Sequence, residues 1–193
     1  AEAQQIKVHL YPDRIEKLNE PKSVMLDEYD IIMMRQDPPF DMSYITATHL
    51  LETIQHKTLI INNPFYVRNC PEKIFVNKYT DFMPSTLITR NVSEIIKFRN
   101  KHDKIIIKPL YGNGGANVFY SDRADKNFGS IIENFLELSR EPFIVQQFIP
   151  KVNEGDKRII LIDGEIAGAI NRLPQEGEIR SNMHVGGIAA KTQ

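Results

Sequence analysis

The segment KPLYGNGGANV, residues 108–118, places a lysine just before a glycine-rich turn. The apolar run before it predicts a buried strand over Lys104–Pro109, and Asn117–Ser121 predicts a second strand after the turn. Glycines let backbone N–H groups approach anionic oxygens closely, and a lysine supplies a point charge for a phosphate. A glycine hairpin beside a solvated lysine explains the same residues about equally well. The segment therefore predicts either a phosphate-binding turn or a plain hairpin.

Two familiar nucleotide-binding motifs do not fit this turn. No lysine follows the glycines, as it does in a P-loop, and Gly112-x-Gly114 lacks the third glycine of the dinucleotide fingerprint. The glycines also lead into a predicted strand, whereas the fingerprint opens a helix. Any phosphate site at this turn must belong to another class.

The overall composition is that of an ordinary globular protein. The chain has 193 residues, 41% of them hydrophobic, and 24 basic against 25 acidic residues give a formal net charge of −1. These values argue against a disordered chain, and the charge gives no reason to expect nucleic acid or an anionic membrane surface as a partner. Cys70 is the only cysteine, and the sequence has no apolar run long enough to span a bilayer. We expect no nucleic-acid partner, no membrane partner and a cytoplasmic location.

The first part of the chain predicts a strand–helix–strand unit with a parallel pair of strands. Its strands are predicted over Asp30–Arg35 and Thr58–Ile61, and its helix over Met42–Gln55 with Asp41 as the N-terminal cap. One face of this helix is predicted to be apolar, and its residues are Tyr44, Ala47, Leu50, Leu51 and Ile54.

The loop between the first of these strands and the helix is a candidate ligand site. It contains Arg35, Asp37 and the pair Pro38-Pro39, beyond the carboxyl end of a parallel strand, where open α/β sheets bind ligands. An arginine there can hold a carboxylate in bidentate fashion. A stiff turn with a helix cap explains the same residues without a ligand.

The rest of the chain predicts an α+β unit. Proline and asparagine cluster over residues 63–85, which predicts a boundary after a Rossmann-like half. Helices are predicted over residues 71–79, 91–102 and 128–140. Strands are predicted over residues 86–89, 104–109, 117–121, 143–147, 158–162 and 165–171, the last two joined by a turn at Asp163-Gly164. Residues 174–193 lack periodicity and predict a mobile loop.

Two further groups of residues are candidates for binding chemistry. The first is a set of cations at predicted element ends or in loops, namely Lys73, Lys108, Arg158, Arg172 and Arg180. A nucleoside triphosphate needs several such cations, although each alone is about four times more often a surface charge. The second is Gln146-Gln147-Phe148-Ile149, which could present backbone groups to the edge of an adenine. A simple connection between strands explains that segment equally well.

Several short motifs, taken together, resemble the bacterial glutathione synthetase family of the ATP-grasp superfamily. They are Asp37-Pro38-Pro39-Phe40-Asp41, Asn69-Cys70-Pro71-Glu72-Lys73, Ile107-Lys108-Pro109-Leu110 with its glycine turn, Gly155-Asp156-Lys157-Arg158, Arg172-Leu173-Pro174-Gln175 and Gly177-Glu178-x-Arg180-x-Asn182. The resemblance covers residues 30 to 190 in family order. It implies an α/β protein with a partial ATP-grasp fold, preceded by part of a Rossmann-like domain. On this basis we expect the Rossmann-like part over residues 1–70, the N-terminal ATP-grasp lobe over 71–145, and the start of the C-terminal lobe over 146–193.

The resemblance also implies an activity. The family joins γ-glutamylcysteine to glycine through an acyl phosphate, releasing ADP and phosphate. Such a reaction needs positioning and cations rather than a protein nucleophile. The resemblance implies ATP and Mg²⁺ as cofactors, a tetrameric assembly, and magnesium ligands beyond residue 193, so that this chain is expected to be a fragment without metal ligands. The alternatives are another ATP-grasp carboxylate–amine ligase and a non-catalytic nucleotide- or peptide-binding module.

Site roles carried over from the family fall into three groups. The nucleotide is expected to contact Lys73, Lys108, Gly112, Asn113, Gly114, Gly115, Gln146, Gln147, Phe148, Ile149 and Asp156. Catalytic roles are implied for Arg158 and Arg172, which face the acyl phosphate and substrate, and for Arg180 and Asn182 in a loop, Pro174–Gly187, that closes over the intermediate. We expect Arg35 and Asp37 to bind substrate.

Overall fold

The computed structural model describes residues 1–10 and 13–192. The chain folds as two compact units, Ala1–Pro71 and Glu72–Gln193.

The N-terminal unit contains a parallel strand pair and two small antiparallel pairs. Its elements are β1 (Glu2–Ala3), β2 (Ile6–Leu10), β3 (Asp13–Lys17), β4 (Lys22–Ser23), β5 (Ile31–Met33), α1 (Met42–Glu52), β6 (Leu59–Ile61) and α2 (Pro64–Asn69). Strands β5 and β6 are parallel, with Ile32 opposite Ile60, and α1 connects them. This confirms the predicted strand–helix–strand unit. Strands β2 and β3 form an antiparallel pair that the sequence analysis did not assign.

Helix α1 begins as predicted, and four of the five residues of its predicted apolar face, all except Leu50, are partly buried. The Asp41 carboxylate accepts a hydrogen bond from the Tyr44 N–H at 2.9 Å, which confirms the cap. Leu50 is 64% exposed, whereas Thr48 is fully buried, so the predicted place of Leu50 on a buried face is wrong. Thr48 lies on the same side of the helix as Tyr44 and Leu51 and accepts a hydrogen bond from Arg68 of α2.

The C-terminal unit contains two antiparallel sheets. Its elements are α3 (Glu72–Phe75), β7 (Thr86–Thr89), α4 (Val92–His102), β8 (Lys104–Pro109), β9 (Phe119–Asp122), α5 (Phe128–Leu138), β10 (Phe143–Gln147), β11 (Asp156–Ile162), β12 (Glu165–Leu173) and β13 (Ile188–Lys191). One sheet has the strand order β7-β10-β8-β9 and the other β11-β12-β13. Strands β7, β8 and β10 have their predicted limits.

The four-stranded sheet has one apolar face and one polar face. Because side chains alternate along a strand, one set of β8 and β10 residues packs against α4 and α5 while the next set points the other way. The buried cluster consists of Ile95, Ile105, Ile107, Phe128, Ile132, Phe135, Phe143 and Val145. Lys108 and Gln146 have the opposite parity and lie on the other face.

Several predictions in this unit need correction. The helix predicted over 71–79 is α-helical only over Glu72–Phe75, α5 ends at Leu138 rather than residue 140, and β12 extends to Leu173 rather than residue 171.

Residues 188–191 form β13, which pairs with β12 and places Ala189 opposite Arg172, so the predicted loop over 174–193 is wrong there. The sequence carries little signal for this strand, because Ile188 is its one large apolar residue and the strand depends on pairing with β12. Gln193 lies outside the described residues. Strand β9 begins at Phe119 rather than Asn117, since Asn117 has a φ of 54°, which does not continue a strand. Strand β11 begins at Asp156, earlier than predicted.

No helix within residues 1–10 and 13–192 is both long and apolar enough to cross a membrane.

Replacing Gly129 by alanine should stabilise the C-terminal unit. Gly129 lies in α5, and a Cβ atom added there meets no atom within 4 Å. Alanine restricts the unfolded chain and favours helix, so the free energy of unfolding should rise by about 0.5 kcal/mol. Urea unfolding measures this change.

Gly164→Ala is the matched control for that variant. Gly164 is equally open but has a φ of +85°, where a side chain is strained. Alanine there should lower the free energy of unfolding by about 1 kcal/mol. Equal effects of the two substitutions would contradict the role assigned to backbone conformation.

Candidate functional site

A cleft of about 350 Å³ in the C-terminal unit collects residues from both sheets and from the glycine turn. All the residues expected to contact a nucleotide line it: Lys73, Lys108, Gly112, Asn113, Gly114, Gly115, Gln146, Gln147, Phe148, Ile149 and Asp156. Arg180 and Asn182 line it as well. The joint placement of cations that a polyphosphate requires is therefore present for Lys73, Lys108 and Arg180.

Lys108 lies on the cleft face of the four-stranded sheet, where β8 meets β10. Its Nζ atom donates a hydrogen bond to Gln146 Oε1 at 3.0 Å. Burial lowers the pKa of Lys108 below its ordinary value, and the nearby charge of Lys73 lowers it further. A partly buried ammonium group with a positive neighbour favours an anionic ligand.

Lys73 is attached to the glycine turn. Its Nζ atom donates to the Gly112 carbonyl oxygen at 2.6 Å and to Glu72 Oε1 at 2.5 Å. Glu72 is 82% exposed, so water screens most of its charge. Gly114 and Gly115 have positive φ angles of 62° and 83°, and none of the described residues accepts a hydrogen bond from their N–H groups. These amides and two ammonium groups form a set of donors suited to phosphate oxygens.

The predicted adenine segment offers fewer free backbone groups than its sequence implied. The N–H groups of Gln147 and Phe148 already donate to Ser85 and Lys104 carbonyl oxygens, at 2.9 and 3.0 Å. Among the described residues, no acceptor takes the N–H of Ile149. Within this segment, Ile149 therefore supplies the backbone donor that is available to a ligand.

Segment 178–184 lies against the glycine turn. Arg180 Nη1 donates to the Gly115 carbonyl oxygen at 3.1 Å. A Cβ atom on Gly115 would lie 2.9 Å from Asn182 Oδ1, and one on Gly114 would lie 3.8 Å from His184 Cδ2. A side chain on Gly115 would displace the end of the Asn182 side chain, and the φ of +83° strains any residue other than glycine at that position.

Arg180 is held by Glu178 as well as by the turn. The Arg180 guanidinium donates to Glu178, whose other carboxylate oxygen accepts the N–H groups of Ile179 and Arg180. The Arg180 hydrogen bond lowers the pKa of Glu178 from its ordinary 4.5 to about 2. Glu178 belongs to one of the family-like motifs, but no role was predicted for it from the sequence.

Acid should release Arg180 from Glu178. A carboxylate whose pKa is lowered by folding stabilises the fold above its ordinary pKa and loses that contribution as the pH falls through the lowered value. Hydrogen-exchange protection of the Ile179 and Arg180 amides should therefore decrease between pH 4.5 and about 2. Glu178→Gln should remove this pH dependence, whereas Glu176→Gln, at an exposed neighbour, should keep it. The same acid response in the Glu178→Gln variant would contradict the assignment.

Arg172 and Asp156 form a bidentate ion pair across β11 and β12. The Nε and Nη2 atoms of Arg172 donate to the two carboxylate oxygens of Asp156 at 2.6 and 2.7 Å. Asp156 lines the cleft, but Arg172 is not part of its lining. Arg158 lies two residues along β11 from Asp156 and pairs with no other described side chain; it too is outside the cleft lining. The structure thus brings Arg172 to the site only through Asp156.

The two predicted substrate-binding residues belong to the N-terminal unit. Arg35 and Asp37 are exposed in the loop between β5 and α1. Their roles stay predictions. The cleft lining also includes Ile106, Val118 and Ile179, which were not selected from the sequence. Ile106 lies on β8 opposite Gln146, so its place depends on the sheet register, whereas Val118 and Ile179 lie outside the strands.

Comparison with known proteins identifies the family. Residues 72–193 match the model of the prokaryotic glutathione synthetase ATP-grasp domain, and residues 1–68 match that of the prokaryotic glutathione synthetase N-terminal domain. The chain belongs to the prokaryotic glutathione synthetase family. This confirms the resemblance and its ATP-grasp fold, and the family uses ATP and Mg²⁺.

Individual relatives agree with this assignment. A glutathione synthetase of Agrobacterium fabrum is 59% identical over 176 residues, which cover 91% of this chain and 55% of that protein. One of Mesorhizobium japonicum is 57% identical, covering 91% of this chain and 56% of that protein. The chain therefore spans about half the length of these curated relatives. The crystal structure of a D-cycloserine synthetase has a TM-score of 0.67 at 16% identity, covering 89% of this chain and 62% of that one, which shows a shared fold.

Proposed function

We propose that this chain is the nucleotide-binding part of an ATP-dependent ligase that joins γ-glutamylcysteine to glycine, releasing glutathione, ADP and phosphate. The observation that carries the proposal is the single cleft that unites Lys73, Lys108 and the glycine turn in a member of the glutathione synthetase family. Lys73, Lys108 and residues 112–115 would hold the phosphates. The Ile149 N–H would meet the edge of the adenine.

The chemistry explains why cations dominate the site. A carboxylate is a poor acyl donor because oxide is a bad leaving group, so transfer of the γ-phosphate to the γ-glutamylcysteine carboxylate makes amide formation possible. The glycine amine then attacks the acyl carbon and phosphate leaves. Arg180 and Asn182, which already contact the turn, would cover the phosphates and exclude water. Arg172 would act as a unit with Asp156, while Arg158 would face the acyl phosphate.

The Mg²⁺ ligands expected from the family resemblance lie beyond residue 193. Within residues 1–10 and 13–192, no group of three or more His, Cys, Asp or Glu side chains could hold a metal ion. Because Mg²⁺ is commonly held by one or two protein carboxylates together with substrate phosphates, the ligands of this cation stay a prediction. The expected tetramer and cytoplasmic location also stay predictions.

The proposal is tested by ADP release with Mg-ATP, γ-glutamylcysteine and glycine, measured on this chain and on the full-length Agrobacterium relative. ATP binding to this chain is measured alongside by calorimetry. We expect ATP binding by the chain, and release by the relative that depends on both amino-acid substrates. Release that does not depend on γ-glutamylcysteine would overturn the substrate assignment. Failure of the chain to bind ATP would overturn the nucleotide site.

A further inference from the structure

A row of hydrogen-bonded polar side chains crosses three strands on the cleft face of the sheet. Thr86 of β7 lies directly opposite Gln146 of β10, and Lys108 of β8 lies diagonally beyond it. Gln146 Nε2 donates to Thr86 Oγ1 at 2.7 Å, and Gln146 Oε1 accepts from Lys108 Nζ at 3.0 Å. The Thr86 hydroxyl donates to the Pro84 carbonyl oxygen at 2.8 Å.

The direction of each hydrogen bond in this row is set by the groups at its two ends, the Lys108 ammonium group and the Pro84 carbonyl oxygen. An ammonium group only donates, so the amide oxygen of Gln146 must face Lys108 and its NH₂ group must face Thr86. A carbonyl only accepts, so the Thr86 proton is committed to Pro84 and its lone pair is presented to Gln146. Thr86 therefore fixes which way the Gln146 amide points. A flipped amide would present NH₂ to an ammonium group, which leaves both without an acceptor.

The row uses one of the three donors on Lys108. Burial and the charge of Lys73 work against the charged form of Lys108, whereas the amide oxygen of Gln146 supports it. A lysine side chain free to rotate also loses rotamer entropy when a ligand orders it. A lysine ordered before binding avoids that cost.

We propose that Thr86, acting through Gln146, is a positioning residue for Lys108 that orders its ammonium group before nucleotide binds. This inference rests on the proposed nucleotide site and adds to it a residue outside the cleft lining. The positioning role depends on the hydroxyl group of Thr86. Serine at this position should therefore preserve the role, whereas valine, which has a similar shape but no hydroxyl, should abolish it.

The first test measures ATP affinity by calorimetry in Thr86→Val, Thr86→Ser and Lys108→Ala, and in the double variant of Lys108→Ala with Thr86→Val. Loss of one hydrogen bond should weaken ATP binding about fivefold in Thr86→Val, and Thr86→Ser should stay within about twofold of the parent. In the Lys108→Ala background, Thr86→Val should have no further effect, because the two residues act as a unit. Thr89→Val, a change of the same kind on the other face of β7, should leave affinity unchanged.

The second test needs no ligand. NMR titration of the labelled lysine side chains should show the pKa of Lys108 falling further in Thr86→Val, because Gln146 no longer holds its oxygen against the ammonium group, and staying at the parent value in Thr86→Ser. Additive losses in the double variant, or an unchanged Lys108 pKa in Thr86→Val, would overturn the positioning role. Failure of Lys108→Ala to weaken ATP binding would instead overturn the nucleotide site while leaving the ligand-free test of positioning intact.

Discussion

Lys108→Ala should weaken ATP binding by this chain about 10- to 100-fold. A hydrogen bond to a charged group contributes about 1.5–3 kcal/mol, which corresponds to that range. The effect should be large because Lys108 is partly buried on the cleft face, where water screens its attraction to a phosphate less than at the surface. Isothermal titration calorimetry of the parent and the variant gives the ratio directly.

Lys97→Ala provides the matched control. Lys97 is exposed on α4, forms an ion pair with Glu94 one turn away, and lies outside the cleft lining. Removing the Lys97 side chain should change ATP affinity less than twofold, because this residue makes no contact with the cleft. Its exposed ion pair contributes only roughly 0–1 kcal/mol to the stability of the fold. Equal losses in the two variants would remove Lys108 from the site.

The pH dependence of ATP affinity gives a second signature of Lys108. Its pKa is lowered from the ordinary 10.5, so the ammonium group loses its proton at a lower pH than an exposed lysine does. Affinity should therefore decline as the pH rises toward 10.5, and Lys108→Ala should not show that decline. The same alkaline decline in Lys108→Ala would mean that another group is titrating.

The elements around this lysine could be predicted because their signals are local. The run Ile105-Ile106-Ile107 and the glycine turn each act within a few residues, and β8 has the predicted limits. Helix α4 begins at Val92, one residue later than predicted, because Asn91 caps it by accepting from the Ser93 N–H. Strand β2 carries a local signal too, since Ile6, Val8 and Leu10 alternate with polar residues. That alternation predicts β2, although no strand was assigned there from the sequence.

The pairing of Asp156 with Arg172 could not be predicted from the turn alone. Counting back from Asp163-Gly164 with a regular ladder places Asp156 opposite Asn171. A bulge between Ile160 and Leu161 shifts the register by one residue and brings Arg172 opposite Asp156 instead. A one-residue shift exchanges the two faces of a strand, so this irregularity decides which side chain neutralises the cleft carboxylate.

The relation between Lys108 and Gln146 likewise depends on register. They belong to strands separated by α5 in the sequence, and only the pairing of Ile144 with Lys108 places Gln146 on the same face. The family resemblance selected both residues without that knowledge. It did not select Thr86, whose contribution depends on a hydrogen bond across two strands.

Gly187→Ala should destabilise the C-terminal unit and displace segment 178–184 from the glycine turn. A Cβ atom on Gly187 would lie 2.2 Å from the carbonyl oxygen of Ser181, and the Gly187 N–H donates to the Asn182 carbonyl oxygen at 3.1 Å. The obstacle is backbone, and Ser181 is only 3% exposed, so the chain cannot move aside without disturbing its neighbours. Overpacking of this kind costs about 1–3 kcal/mol. Urea unfolding measures the stability, and hydrogen exchange over residues 179–191 measures the local displacement.

Gly168→Ala separates this clash from a general effect of adding a methyl group. Gly168 lies in the middle of β12, the strand that pairs with β13 directly after Gly187, and a Cβ atom there meets nothing within 4 Å. That variant should have the stability and the exchange pattern of the parent or slightly better. Because Asn182 and Arg180 contact Gly115, only Gly187→Ala should also weaken ATP binding. A stable Gly187→Ala protein with parental exchange and parental affinity would show that the turn at Ser181 has room to move, and that the segment facing the glycine turn does not depend on it.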